Sequence, residues 1–422
     1  MPLKVGFAEV DITPPPGTHK IGWLKTIVSD SCLDPLFARA AVFDSGGERL
    51  AFLQLDTLFV AADDVGDIRR RIASRYAFPG ANVMIAATHN HAGPAVADCG
   101  DVKRDAAYTE SMIEKVVGMF GEALARAQPA EVGQASVFEF GLTYNRRVVM
   151  RDGTVRCQHT FDDPESLYVE GPIDPEVAVT AARGRGGAWL GAIVNFACHP
   201  THHGGETGLS AGFPGALAAE MRGRGFPITL FLNGACGNII FFDPARGNQG
   251  HTMEEMGKVL ADDACRAVRS MQFADTVRLR AASRMVSVPW RRVTEEDIRG
   301  TGRGMERFID PAIYDRWIPR VLDEMRRRPA PEVEVQVLSL DQRDYVAIPA
   351  EYFVQNGFLI KEGAHPRHAL VVECANGSMG YVPHSEAFAR GGYETTFPGN
   401  QFAPETGGLL ADAAVELIRQ GR

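Results

Sequence analysis

With 422 residues, 45% hydrophobic and 23% charged, the chain has apolar material for one large catalytic unit or for two to three domains, and wholesale disorder is excluded. Its 44 basic and 53 acidic residues give a net charge of −9, which excludes the concentrated basic surface that a nucleic-acid partner requires. Seven cysteines without CxxC spacing, an N-terminus without an apolar leader, and no run of roughly 18 to 20 apolar residues predict free thiols and a soluble, cytoplasmic protein with no integral membrane segment.

From the N-terminus, Met1–Gly6 runs into a strand. Ala40–Phe43 and Leu50–Leu55 read as paired strands joined at Ser45-Gly46-Gly47. Helical spacing covers Asp64–Tyr76, and Asn82–Ala87 is a short buried strand. Ala106–Ala127 is the longest helix, with Met112, Ile113, Val116, Val117 and Phe120 on one face. A strand at Glu131–Phe140 leads to Tyr144-Asn145-Arg146-Arg147. Residues 150–176, rich in Asp, Glu, Gly and Pro, read as a long surface loop.

Regular structure resumes with a strand at Ala188–Ala197, a helix at Phe213–Arg222, a strand at Ile228–Leu232 and a helix at Gly250–Met271. Val277–Val288 alternates like a strand, and Glu295–Arg328 is mostly helical and polar, ending in the solvated run Arg326-Arg327-Arg328. Strands near Glu334–Leu340, Tyr345–Ile348 and Leu370–Glu373 precede a closing helix at Leu409–Arg419. This interleaving predicts an α/β fold, multilayered, with mixed β-sheets flanked by helices. The weak seam at 290–332 has candidate site residues on both sides, so residues 1–422 read as a single composite catalytic domain.

Histidine position carries the chemical signal. His89 and His91 directly follow the apolar strand Val83–Ala87, where strand alternation would put both imidazoles on one side and Gly93-Pro94 turns the chain away. His199 stands at the end of another apolar strand, before Pro200. Two such strand ends can converge on one metal, histidine being a common ligand. His202 and His203 read as loop residues. Glu351, in Pro349-Ala350-Glu351, sits at a strand-to-helix transition where a carboxylate either ligates or favours the helix dipole. Tyr381 follows the glycines of Gly377-Ser378-Met379-Gly380 and either packs or faces a site. The loop Asn233-Gly234-Ala235-Cys236-Gly237-Asn238 offers small residues for an oxyanion, with Cys236 either a thiol nucleophile or a small buried residue.

In their order, these segments resemble the neutral/alkaline (non-lysosomal) ceramidase family, specifically its N-terminal catalytic domain and the shorter bacterial proteins related to it. The matching elements are Gly6–Pro14, Leu55-Asp56, Thr88–Pro94, Asn145-Arg146, His199-Pro200-Thr201, Asn233–Asn238, Pro349-Ala350-Glu351, Gly380-Tyr381-Val382 and Gly392-Tyr393-Glu394. The resemblance implies a catalytic Zn2+ held by His89, His199, Glu351 and Tyr381. It also implies that His91 faces the substrate or the attacking water, and that Arg146 and Tyr393 line the pocket and stabilise an oxyanion.

Three departures narrow the expectation. Ile240 stands where the family has a serine, and Ala211-Gly212-Phe213-Pro214-Gly215 lacks an aspartate found in many relatives. The family's C-terminal sandwich domain has no counterpart before Arg422. The expected activity is zinc-dependent hydrolysis of an amide in a small soluble molecule rather than ceramide. An esterase or lactonase, a Cys236-dependent hydrolase and a non-catalytic metal-bearing binding protein are the alternatives.

Overall fold

Alternate residues of the N-terminal strands enter two different cores. The structure, a computed structural model, describes residues 2–421. In β1 (Lys4–Asp11), Val5 and Phe7 face one core and Ala8 the other. In β2 (Phe37–Ser45), Ala41 and Phe43 share the first core, and Ala38, Ala40 and Val42 the second. β3 (Glu48–Leu55) divides Leu50 and Phe52 from Ala51, Leu53 and Leu55 in the same way. Strands buried on both faces give the near-continuous apolar runs seen in the sequence. The β2–β3 hairpin closes through Gly46 and Gly47, with φ of 63° and 96°, the left-handed pair that a two-residue turn between twisted strands requires.

Helix α1 (Ala62–Tyr76) crosses over to β4 (Val83–Ala87), parallel to β3. Helix α2 (Ala106–Ala125) follows, capped by Asp105, whose side chain accepts the Tyr108 N–H. After β5 (Gln128–Phe138), residues 150–176 are not the plain loop expected. Strands β6 (Arg147–Met150), β7 (Val155–Cys157) and β8 (Ser166–Val169) form a three-stranded sheet in the order β7-β6-β8. The polar composition reflects the exposed outer strand, where Leu167 and Tyr168 also face solvent. Also outside the sequence reading is β9 (Glu176–Gly184), which pairs along its length with β5 and then with β10 (Trp189–Phe196).

Next come α3 (Gly212–Gly223), β11 (Thr229–Asn233), α4 (Met253–Arg269) and β12 (Leu279–Ser287). The expected helical stretch Glu295–Arg328 is divided into α5 (Glu295–Arg299) and α6 (Pro311–Arg327). Gly300, at φ 68°, ends α5, and Pro311 opens α6 under an Asp310 cap. The chain closes with β13 (Glu332–Leu340), β14 (Arg343–Ala347), β15 (Glu351–Tyr352), α7 (Val354–Ala364), β16 (His368–Val372), β17 (Tyr381–Val382) and α8 (Thr406–Arg419). Because β12 and β13 pair from Leu279↔Leu340 to Ser287↔Glu332, the intervening segment is an excursion from one sheet.

The large sheet runs β11-β10-β9-β5-β1-β2-β3-β4, with Phe273–Ala274 added beside β5. Its edge pairs β10–β11 and β3–β4 are parallel and the interior is antiparallel. The sheet curls until its edges adjoin: Asn233, ending β11, donates through Nδ2 to the carbonyl of Thr88 just beyond β4, at 3.2 Å. A second mixed sheet, β12-β13-β14-β16, lies against it. Leu338, Leu340, Tyr345 and Leu370 share a core with Phe7, Phe43, Phe52 and Leu230, and the Tyr345 ring meets Phe52 edge-on at 4.9 Å.

Outside the second sheet, Val337, Val346 and Val371 pack on Ile360 of α7 and Leu410 of α8. Helices α1 and α2 cover one part of the large sheet, and α3 and α4 another. The result is the expected multilayer α/β fold with mixed sheets flanked by helices. Among the described residues, no helix is long and apolar enough to cross a membrane.

Candidate metal centre

The curled sheet delivers a histidine to the same point from its edge strand β4 and from β10, the strand beside its other edge. Strand β4 stops at Ala87, and His89 takes a left-handed backbone at φ 65°. That conformation costs a non-glycine residue on the order of 1 kcal/mol and tends to collect at functional sites. The imidazoles of His89 and His91 therefore meet through a turn, not through the strand alternation expected from their spacing. Asn90 pins that turn, accepting the Ala92 N–H at 3.0 Å and donating to Ser210 O at 2.7 Å. On the other side, Asn233 accepts the Cys198 N–H at 3.2 Å and donates to Cys198 O at 3.1 Å as well as to Thr88 O. One asparagine thus ties the His89 and His199 segments together.

Each of the three histidines directs Nδ1 at a backbone carbonyl: His89 at Leu58 O (3.1 Å), His91 at Gly22 O (3.1 Å) and His199 at Cys236 O (2.9 Å). A carbonyl only accepts, so the proton of each neutral ring sits on Nδ1 and the Nε2 lone pair faces inward. The His89 Nε2 lies 3.0 Å from that of His199 and 3.3 Å from that of His91. Glu351 adds Oε2 at 3.2 Å from His89 Nε2 and 3.4 Å from His199 Nε2. Three inward lone pairs and a carboxylate repel one another unless protons or a cation sit between them. Ligands at 2.0–2.1 Å from a tetrahedral zinc are about 3.3 Å apart, so donor types and spacing fit a zinc-sized ion.

Electrostatics divide the cluster. Burial opposes charge on His89, but Glu351 and the more distant Glu373 outweigh it and hold its pKa above the ordinary value. Burial, with His89 and His199 nearby, pushes His91 well below the ordinary value. Burial, Arg146 and His89 take His199 down to about 4. Burial works against the Glu351 carboxylate, yet His89 and His199 hold it well below the usual range. Of these four residues only His91 keeps partial exposure; the others are buried.

Glu351 and Tyr381 are brought together by β15 and β17, which pair in parallel with those two residues in register. The Tyr381 ring lies 6.3 Å from the His199 ring, and its hydroxyl accepts from Arg146 Nη2 at 3.1 Å. Arg146 donates through Nε to Glu394 Oε1 (2.8 Å) and through Nη2 to Gly237 O (2.7 Å). Tyr393 lies edge-on to Tyr381 at 5.6 Å and against Phe308 at 4.9 Å, and it is partly exposed. The seven sequence-predicted site residues are therefore linked by contacts into one cluster.

Other candidates lie elsewhere. His202 stacks on Phe241 at 3.8 Å and His203 pairs with Glu206 at 2.9 Å, both outside the cluster. Ile240 is buried and pairs with Tyr144 across a two-residue bridge. Cys236 is buried, with Sγ donating to Glu373 Oε1 at 2.8 Å; burial and that carboxylate push its thiol well above the ordinary value, which disfavours the thiolate.

Sequence reasoning did not single out three acidic residues behind the site. Glu394 bridges Arg146 and Arg147, at 2.8 Å each. Although burial works against it, those guanidinium groups hold its carboxyl at about 2. Burial raises Glu306 to about 7, and burial also raises Glu373 to about 7. Glu394 stands beside a site residue in Gly392-Tyr393-Glu394, the one local signal available; Glu306 and Glu373 have none.

No protein-family model matches the chain, and no curated protein sequence matches it. By structure it is similar to neutral ceramidase from Pseudomonas aeruginosa, with a TM-score of 0.76 and 20% identity over 100% of this chain and 75% of that one. It is also similar to a ceramidase complexed with C2, with a TM-score of 0.75 and 19% identity over 99% of this chain and 75% of that one. The fold of the molecule is the neutral ceramidase fold, in agreement with the resemblance read from the sequence.

Proposed function

We propose that this chain is a zinc-dependent hydrolase that cleaves an amide C–N bond of a small soluble substrate with water. One observation carries the reading: three imidazoles with Nδ1 tied to carbonyls turn their Nε2 lone pairs towards each other, and Glu351 Oε2 stands beside those of His89 and His199. The ion would be held by His89, His199 and Glu351, with Tyr381, the register neighbour of Glu351, as fourth ligand. Bound there, zinc supplies Lewis-acid chemistry, polarising a carbonyl and acidifying water towards a pKa of about 7.

The remaining roles belong to side chains. His91 Nε2 takes the proton of the attacking water and returns it to the leaving nitrogen, so that one water is consumed and an acid and an amine leave. Its depressed pKa keeps that nitrogen unprotonated, and Gly22 O fixes the ring. Arg146, immobilised by Glu394 and Gly237 O, and Tyr393 stabilise the oxyanion without having to reorganise. A small substrate is favoured because, among the seven site residues, only His91 and Tyr393 retain partial exposure. Site contacts drawn from Gly22 through Glu394 favour one composite catalytic unit.

The test is metal content together with turnover on paired amides and esters sharing one acyl group, for the parent, His89→Ala and Glu351→Ala. Stoichiometric zinc with amide turnover in the parent, and loss of both in the variants, is expected. A parent that purifies without a transition metal, with both variants fully active, sinks the reading. Preference for the esters would move the assignment to an esterase or lactonase, and stoichiometric zinc without turnover on either would make it a metal-bearing binding protein.

A further inference from the structure

Glu373 is a fully buried carboxylate that the reaction itself does not use. It follows β16, and its side chain reaches two backbone segments that carry site residues. Oε2 accepts the N–H of Cys236 at 2.8 Å and the N–H of Tyr352 at 3.1 Å, and Oε1 accepts the Cys236 thiol at 2.8 Å. Cys236 is the residue whose carbonyl holds His199 Nδ1, and Tyr352 is the neighbour of Glu351. The Glu373 backbone N–H donates to Asn233 O at 3.0 Å, the asparagine that joins the His89 and His199 segments. The next residue, Cys374, sets its Sγ 3.4 Å from His89 Nδ1.

One side chain therefore ties the Glu351 strand end to the carbonyl that orients His199, while its backbone anchors the bridge between the histidines. A lone buried carboxylate is costly unless its oxygens are satisfied, and here they are satisfied by groups belonging to the metal centre. We propose that Glu373 is a positioning residue of this centre, setting the separation and orientation of His199 and Glu351 towards the ion. The inference rests on the metal reading above. Partners that orient ligands from behind usually contribute 10- to 100-fold to metal affinity.

Glutamine at 373 can still accept both N–H groups through its single carbonyl oxygen, whereas leucine can accept neither. The experiment measures zinc affinity by competition with a chromophoric chelator for the parent, Glu373→Gln and Glu373→Leu. Cobalt(II) absorption spectra report coordination geometry, and circular dichroism reports folding. Expected is affinity within roughly threefold of the parent for Glu373→Gln, and a loss of about 10- to 100-fold with an altered cobalt spectrum for folded Glu373→Leu. If Glu373→Leu does not fold, Glu373→Ala, which leaves room for water at the two N–H groups, makes the same comparison.

Parent-like affinity and spectrum in a folded apolar variant would overturn the inference, as would failure of both apolar variants to fold, which would mark Glu373 as a stability residue only. A parent that binds neither zinc nor cobalt would instead overturn the metal reading.

Discussion

The two walls of the site are held in place by different forces. On the histidine wall, the Nδ1 atoms of His89, His91 and His199 are directed by three backbone carbonyls, and Asn90 and Asn233 hold their segments. On the opposite wall, Arg146 and Arg147 share Glu394 in a buried ion network, and Arg147 also reaches the partly exposed Glu170 at 2.5 Å. Carbonyls select a tautomer and leave a lone pair free, which suits metal ligation. An ion network fixes a positive charge in a low-dielectric setting, which suits stabilisation of a developing anion. The first wall should therefore fail by losing metal, and the second by losing rate or stability while the metal stays.

The largest effect expected from breaking that contrast is on the histidine wall. His89→Ala or Glu351→Ala should abolish zinc binding and reduce kcat/KM to background, read by elemental analysis and by turnover. His91→Ala separates proton transfer from ligation: retained zinc with kcat about 10²- to 10⁴-fold lower is expected, and loss of zinc equal to that of His89→Ala would make His91 a ligand instead. On the ion wall, Arg146→Lys keeps charge but not the three-way geometry, and kcat should fall about 10²- to 10³-fold with zinc retained.

Breaking the network at its centre tests folding rather than chemistry. Glu394→Ala leaves Arg146 and Arg147 buried without their shared partner and should cost about 3–5 kcal/mol in denaturant unfolding. The smallest effect comes from Glu306, whose carboxyl burial raises from 4.5 to about 7 while it accepts the Cys157 N–H at 2.8 Å. Its folded pKa lies above its unfolded one, so stability is greatest below about 4.5 and declines as pH rises to about 7, by at most about 3 kcal/mol. Glu306→Gln should flatten that part of the stability–pH curve. A curve identical to that of the parent would rule the contribution out.

Much of the frame was legible because burial on both faces writes itself as an apolar run. Val83–Ala87, Ala188–Ala197 and Ile228–Leu232 announce strands, and a histidine after each of the first two marks strand ends that can meet. Strand β9 escaped because Glu176–Gly184 combines small alanines with charged ends, and follows a polar stretch without a marked boundary. Arg146 and Tyr393 came from ordered motifs, not from periodicity. The pairing of Arg147 with Glu394 and the position of Glu373 are contacts between residues more than 100 positions apart, which no local pattern encodes.

What the sequence determined by itself is which strands are buried and which histidines end them, since alternation, length and turn residues act over a few positions. What only the tertiary structure decided is that the curled sheet brings its two edges together, that His89 leaves the strand in a left-handed turn, and that Glu373 stands behind His199 and Glu351. Those outcomes depend on how large faces pack and where buried polar groups find partners, and both are settled between distant segments.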